Sequence, residues 1–305
     1  MHSSPVWWYG STMNLNESTK GLLAATLAFI LWGLLPMYWK ALQSVPAQEI
    51  ICHRIVWSFV FSGALLIFSR RMGEAGQVFS SLRQFGQMMA SGFLIGGNWL
   101  LFIWGVNAGY IVECSLGYYI NPLVNVLLGF IVFRDRLRPI QWVAIAFAAA
   151  GVVNQVVQFG TLPWIALILA FSFGLYGLAR KVMRLGPVSG LFVETAILTV
   201  PAGFFLISLL SDGQSALGTQ GMGINMLLIG CGAVTSIPLI LFAYGARRLK
   251  LATVGILQYI GPTGMLLLGI FLYGEPFDRA TLITFSLIWV GVILYSVESW
   301  LYIRR

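Results

Sequence analysis

Charge is what this sequence has least of. Asp, Glu, Lys and Arg make up 9% of its 305 residues, where a water-soluble domain carries about 25%. With 58% hydrophobic residues and a mean hydropathy of +0.85, that scarcity excludes a soluble globular protein. Histidine is nearly missing: His2 and His53 are the only two, so no multi-histidine metal centre can form and no metal is expected. Cys52, Cys114 and Cys231 are odd in number, lie in apolar segments and lack CxxC spacing, which excludes a disulfide framework or zinc site. Neither GxxxxGK[ST], HExxH nor GxSxG occurs, so nucleotide hydrolysis and the commonest hydrolytic chemistries have no motif. No enzyme activity and no cofactor are expected.

What is present is a series of apolar runs of about 20 residues, the length that crosses ~30 Å of hydrocarbon. They predict an all-α polytopic membrane protein with ten transmembrane helices near 20–39, 48–69, 86–108, 113–133, 140–158, 163–179, 188–210, 225–245, 252–273 and 280–302. The longest connections are 70–85 and 211–224, so no soluble domain is inserted. Residues 1–19 are expected to form a short cytoplasmic tail without a cleavable signal, and Met13 is an alternative start.

The basic residues orient these spans. With the N-terminus in the cytoplasm, the inner segments hold Lys20, Arg70, Arg71, Arg83, Arg134, Arg136, Arg138, Arg180, Lys181, Arg184, Arg247, Arg248, Lys250, Arg304 and Arg305; the outer ones hold Lys40 and Arg279. This positive-inside bias predicts an inner-membrane protein with both termini cytoplasmic. It also removes nucleic acid as a partner, because the net charge of +8 is spread over many short loops.

The sequence repeats. Residues 115–153 lie without a gap on 255–293: Tyr119 meets Tyr259, Pro122 meets Pro262, Gly129 meets Gly269 and Gly151 meets Gly291. Towards the front of each half, Gly33 meets Gly174, Lys40 meets Lys181 and Pro46 meets Pro187. The halves divide as 20–159 and 160–305. Each unit holds five spans, and an odd number inserts the second copy upside down. Two inverted five-helix repeats are the architecture of many secondary transporters, with the substrate at the repeat interface.

The stretches "PAQEIICHRIVWS", "IGGNWLLFIWGVN", "SLGYYINPLVNVLLG", "LAFSFGLYGLARK" and "LQYIGPT" resemble the RarD branch of the EamA transporters, within the drug/metabolite transporter superfamily. The resemblance covers residues 20–303. It implies two inverted five-helix halves and movement of small metabolites or drugs by alternating access, with export the expected direction. Asp135 stands where many of the family carry Glu. The competing classes are a membrane-embedded enzyme and a receptor.

Ionisable residues inside the spans are the first candidates for function, because an Arg at mid-bilayer costs about 2.5–3.5 kcal/mol even on mild scales. Glu49 suits the first turn of the second helix as a complement to its dipole. His53 shares a helical face with Glu49, and Arg54 lies deeper. Two readings stand for these: His53 and Arg54 face a polar path, or His53 makes a structural hydrogen bond and Arg54 snorkels to phosphate. Glu194, the repeat mate of His53, is either a proton-coupling carboxylate or an interhelical hydrogen-bonding acid. Protons are thus a candidate partner beside the bilayer and a small-molecule substrate.

Asn98, Trp99, Trp104 and Asn107 in the third span, Tyr118, Tyr119, Asn121 and Asn125 in the fourth, and Gln258 and Tyr259 in the ninth are expected to line the substrate cavity. They offer stacking faces and neutral hydrogen bonds, a lining for amphipathic or zwitterionic metabolites. Pro122 and Pro262 are expected to break their helices and free carbonyls towards that cavity. Trp39, Trp300 and Tyr302 are expected in interfacial belts, and Glu113 is expected as a helix-start acid.

Overall fold

The chain enters its first helix through a cap: the Asn16 side chain accepts the backbone N–H of Thr19 at 2.7 Å. A computed structural model describes residues 16–108, 110–160, 162–274 and 279–303. The expected tail over 1–15, Glu275, Arg304 and Arg305 lie outside the described residues, as do the side chains of Asn107, Trp300 and Tyr302. Helix α1 (Glu17–Ala41) already begins inside the segment expected as tail, and α2 (Ala47–Phe68) follows. A short α3 (Met72–Gly76) and a 3-10 turn over 77–80 fill the first long connection. Then come α4 (Leu82–Asn107), α5 (Ile111–Phe133), α6 (Pro139–Phe159), α7 (Trp164–Val182), α8 (Pro187–Ser211), α9 (Met222–Ala246), α10 (Leu251–Gln258), α11 (Ile260–Tyr273) and α12 (Arg279–Ile303). No strand occurs among the described residues, and ten segments are long and apolar enough to cross a bilayer, α10 and α11 jointly forming one of them. This is a multi-pass membrane protein. The start of α1 and the end of α12 lie at one end of the bundle, linked through Glu17–Arg248, Lys250–Arg136 and Arg138–Glu298; this is the terminal end, and the opposite is the far end.

The packing obeys the repeat. Helix α1 lies on α9 and α11, and its repeat mate α7 lies on α4 and α5; α2 packs on α9 as α8 packs on α4. The mates α2 and α8, α5 and α10, and α6 and α12 pack directly on each other. Exchanging each of these helices for its mate returns these same contacts, as a two-fold axis in the membrane plane requires. Close approach on that axis depends on glycine: a Cβ on Gly151 would stand 2.8 Å from the Thr284 carbonyl, and one on its mate Gly291 would strike the Ala144 carbonyl. The helix ends match too. Arg134 closes α5 at φ +52° and Gly274 closes α11 at φ +66°, the same position of each repeat in the same left-handed conformation.

Of the two prolines expected to break their helices, one does and the other does not. Pro262 follows a real break, with α10 ending at Gln258 and α11 starting at Ile260. Pro122 sits inside an unbroken α5. Both lack the N–H that would reach four residues back, but Pro262 lies between Gly261 and Gly264, whose poor helix propensity lets the segment turn. Thr263 then bonds the Tyr259 carbonyl through its hydroxyl at 2.7 Å.

Candidate functional site

Arg54 stands on the eighth residue of α2, roughly 10 Å below the far-end start of that helix at ~1.5 Å per residue. Its guanidinium carbon lies 4.8 Å from the Trp39 ring centroid and 4.8 Å from that of Trp99. Its Nε donates to Thr235 Oγ1 at 3.2 Å. Four elements thus converge on one cation: α1 through Trp39, α2, α4 through Trp99 and α9 through Thr235. Contact with indole faces suits the delocalised guanidinium, each contributing about 0.5–1 kcal/mol. Among the described residues no carboxylate lies within ion-pair distance of Arg54. The half-exposed Tyr118, edge to face with Phe102 at 5.8 Å, and the Cys231 thiol are neutral titratable groups close to it.

The acids that might have paired with it are occupied elsewhere. Glu49 accepts Ser215 Oγ at 2.9 Å and the Ala216 N–H at 2.8 Å, pinning the 212–221 loop at the far end. Glu113 accepts the Ile165 N–H at 2.7 Å and pins the start of α7. Each is more than a helix-start acid, since each fixes a neighbouring segment. His53 is 2% exposed, 3.7 Å from Glu49, and so is turned into that packing and away from Arg54.

The mate of α2 carries a balanced charge. Glu194 is fully buried and accepts Ser91 Oγ at 2.5 Å, Tyr176 Oη at 3.4 Å and Arg180 Nη1 at 3.5 Å. Arg180, expected as a loop charge, is instead 1% exposed, and it also donates to the Gly186 and Pro187 carbonyls at 3.3 and 3.0 Å. Gly190 makes room, since any Cβ there would overlap the guanidinium. Breaking such a pair typically costs about 3–5 kcal/mol.

Between Arg54 and the Arg180–Glu194 pair lies an aromatic layer. Trp32 meets Phe173 at 5.7 Å and Phe242 at 5.6 Å; Phe173 meets Tyr176 at 5.9 Å; Phe29 meets Trp32 at 5.6 Å. Beside it Asn121, Asn125 and Gln258 form a closed amide triad. Gln258 Nε2 donates to Asn121 Oδ1 at 2.7 Å, Asn125 Nδ2 donates to Gln258 Oε1 at 2.6 Å, and Asn121 Nδ2 donates to the Ala170 carbonyl at 3.0 Å. All three are buried, so they lock α5 to α7 and α10 and do not line open space. Asn98 likewise ties α4 to α7 through the Leu169 carbonyl and Ser172, both at 2.9 Å. Tyr259 donates to the Tyr119 carbonyl at 3.3 Å, while Tyr119 packs on Phe285.

The ends of the bundle carry polar latches. At the terminal end Arg248 Nε meets Glu17 at 2.7 Å, Lys181 Nζ donates to the Ala246 and Leu249 carbonyls, and Arg247 Nη1 donates to the Leu185 carbonyl at 2.5 Å. At the far end a cavity of about 340 Å³ opens between α2 and α4, lined by Gln48, Leu100, Ile103, Trp104 and Ala108.

The EamA-like transporter family matches residues 19–154 and again 162–297. The chain belongs to that family. The EamA chain is 41% identical to Protein RarD of Escherichia coli K12 over 293 residues, covering 96% of this chain and 99% of that one. It is 46% identical over 287 residues to a Bacillus subtilis protein described as uncharacterized transporter YojE, covering 93% and 95%. An uncharacterized transporter of Vibrio cholerae is 44% identical over 288 residues, covering 94% and 95%. A solved structure superposes with a TM-score of 0.71 at 18% identity, covering 91% of this chain and 98% of that one, a likeness of fold. As in these relatives' names, a transporter role follows.

Of the residues expected to line a cavity in this EamA protein, Arg54, Trp99 and Tyr118 come together. Asn98, Asn121, Asn125, Gln258, Tyr119 and Tyr259 join the packing around them. Trp104 lines the far-end cavity, half exposed in a cluster with Tyr110 and Trp164, and Trp39, expected in a belt, covers Arg54. The repeat offset carries Trp32 onto Phe173 as surely as Gly33 onto Gly174, and that was the available signal for the aromatic layer.

Proposed function

We propose that this chain is a secondary transporter moving small amphipathic metabolites or drugs across a bacterial inner membrane, by alternating access and in the direction of export. The observation that carries the reading is Arg54: a guanidinium inside the membrane, held by two indoles and a hydroxyl, with no counter-charge among the described residues. A structural arginine is neutralised, as Arg180 is; one kept without a counter-ion at the meeting of four helices suits a ligand. The Lys and Arg bias supports cytoplasmic termini, which turns the far end and its cavity towards the periplasm. Substrate would meet Arg54 from one side at a time while the aromatic layer and the terminal-end latches exchange with the far-end ones. The Arg180–Glu194 arrangement favours a counter-ion role for Glu194 over proton loading.

Two measurements test this. Media from overexpressing and deletion strains are compared by mass spectrometry, and the enriched compound is then followed in liposomes holding purified protein. Net flux without chemical change supports transport; a chemically altered product overturns it. Reporter fusions after Phe85, Arg138 and Lys250 should read cytoplasmic, and those after Gln43, Gly160 and Ser215 periplasmic. Reversal at two sites defeats the orientation.

A further inference from the structure

The charge balance around Arg54 says what its ligand is. Its Nε is spent on Thr235 Oγ1, and both indole contacts are made by the guanidinium carbon, which stands over the faces of the two rings. Among the described residues its two terminal nitrogens have no hydrogen-bond partner in the protein, and neither is buried. Two free N–H groups in one plane match the two oxygens of a carboxylate. Among the described residues, the surrounding side chains add no further charge. Trp39, Trp99, Thr235, Tyr118 and Cys231 are neutral, and Glu49, Glu113 and Glu194 are held at the 212–221 loop, the start of α7 and Arg180. The site therefore offers one positive charge and nothing to receive a cation.

We infer that the ligand of the Arg54 site is an organic monoanion, its carboxylate on the terminal nitrogens of Arg54 and its apolar body against Tyr118, Phe102 and the Trp32–Phe173 layer. This rests on the transporter reading and narrows it. A cationic drug would meet an unscreened like charge. A zwitterion would leave its ammonium without an acceptor of opposite charge, and a dianion would leave one charge uncompensated. Each carries a desolvation cost inside the bundle that the monoanion avoids. The amphipathic or zwitterionic class expected from the neutral side chains alone thus shifts to acids. Arg54 supplies the charge, while the aromatic side chains accept the body by shape.

The test uses one ring with five charges: benzoate, benzamide, benzylammonium, phenylalanine and phenyl phosphate, at pH 8 with purified full-length protein in detergent. Binding is read by equilibrium dialysis, and by the ligand-dependent rise of the unfolding midpoint. Benzoate should bind at least tenfold more tightly than each of the others. Arg54→Ala should remove that preference, and Arg54→Lys, which keeps the charge and loses the fork, should weaken benzoate severalfold and retain the order. Equal or tighter binding of any other member, or an unchanged order in Arg54→Ala, overturns the inference; so does the absence of benzoate binding. Flux separates this from the transporter reading. If liposomes carry phenylalanine or benzamide and lose that flux in Arg54→Ala, transport stands and the monoanion class falls. If benzoate binds in the stated order but no flux of it or of the cell-derived compound occurs, the class stands and transport falls.

Discussion

Trp32 and Phe173 are the same position of the two repeats, and their rings meet edge to face with centroids 5.7 Å apart and an interplanar angle of 77°. They come from the middles of α1 and α7, mates under the two-fold, so the contact lies near the axis. Around it Phe29, Tyr176 and Phe242 complete a layer that separates the unpaired Arg54 from the paired Arg180. The next residues in each repeat are Gly33 and Gly174, which admit α11 and α5 respectively. A small residue beside a large one thus sets both the helix approach and the barrier.

Trp32→Ala should open that barrier. Full truncation of a buried Trp costs about 3–5 kcal/mol; Trp32 is only half-buried, so a smaller cost, about 2–3 kcal/mol, is expected. Liposomes with Trp32→Ala should leak the transported compound without the usual saturation, and Trp32→Phe should stay tight. Saturable flux at the native rate in Trp32→Ala would remove the layer from the permeation path.

The Arg180–Glu194 pair should prove to be an anchor. Glu194→Gln leaves Arg180 uncompensated, so stability should fall by about 3–5 kcal/mol, seen as a lower unfolding midpoint and lower membrane abundance. Arg180→Met with Glu194→Met should recover part of the loss, because a well-packed apolar pair avoids the desolvation of both charges. Flux per folded molecule in Glu194→Gln should keep its dependence on a pH gradient. Loss of that dependence with normal abundance would return Glu194 to a proton-coupling role.

Much of the architecture could be read from residues alone. Ten runs of apolar residues and the 140-residue register of Tyr119 on Tyr259 and Gly151 on Gly291 predict the helices and their two-fold, because hydrophobic length and internal repetition are properties of local sequence. Site membership was less legible, because it depends on which face of a helix meets which neighbour. Asn121 and Asn125 lie one turn apart on α5, as a cavity lining would, but Gln258 reaches across from α10 and hydrogen-bonds to both. Glu49 and Glu194 have the same local character as intramembrane acids; only the distant Ser215 and Arg180 distinguish a loop anchor from an ion pair. Arg54 was visible as a cost, and its two indoles came from Trp39 and Trp99, one expected at an interface and one in the cavity.

Asn121→Leu follows from that triad. It removes the acceptor of Gln258 Nε2 and of Asn125 Nδ2 and leaves buried donors unmatched, each at about 1–3 kcal/mol. Lower abundance and a lower unfolding midpoint are expected, with residual molecules transporting normally. Normal abundance with abolished flux would place Asn121 at the substrate instead.

The unpaired charge of Arg54 also sets the kinetics. To reset empty, the carrier must pass through a closed state holding a bare guanidinium, which costs about 2.5–3.5 kcal/mol on mild insertion scales. The two indole contacts return about 1–2 kcal/mol of this in total. A net penalty of about 1.5 kcal/mol, the middle of a range of about 0.5–2.5 kcal/mol, falls on the empty step alone, because a bound monoanion neutralises the site; at about 1.4 kcal/mol per factor of ten, the empty return should be about tenfold slower than the loaded one. Exchange of labelled for unlabelled monoanion across liposomes should therefore run about tenfold faster than net efflux into ligand-free buffer. The advantage should shrink when the outer buffer holds a high concentration of a second carboxylate that the site accepts, since that anion returns with the carrier. Equal rates of exchange and net efflux would mean that Arg54 is neutralised in the empty protein and that the charge sets affinity without setting the rate.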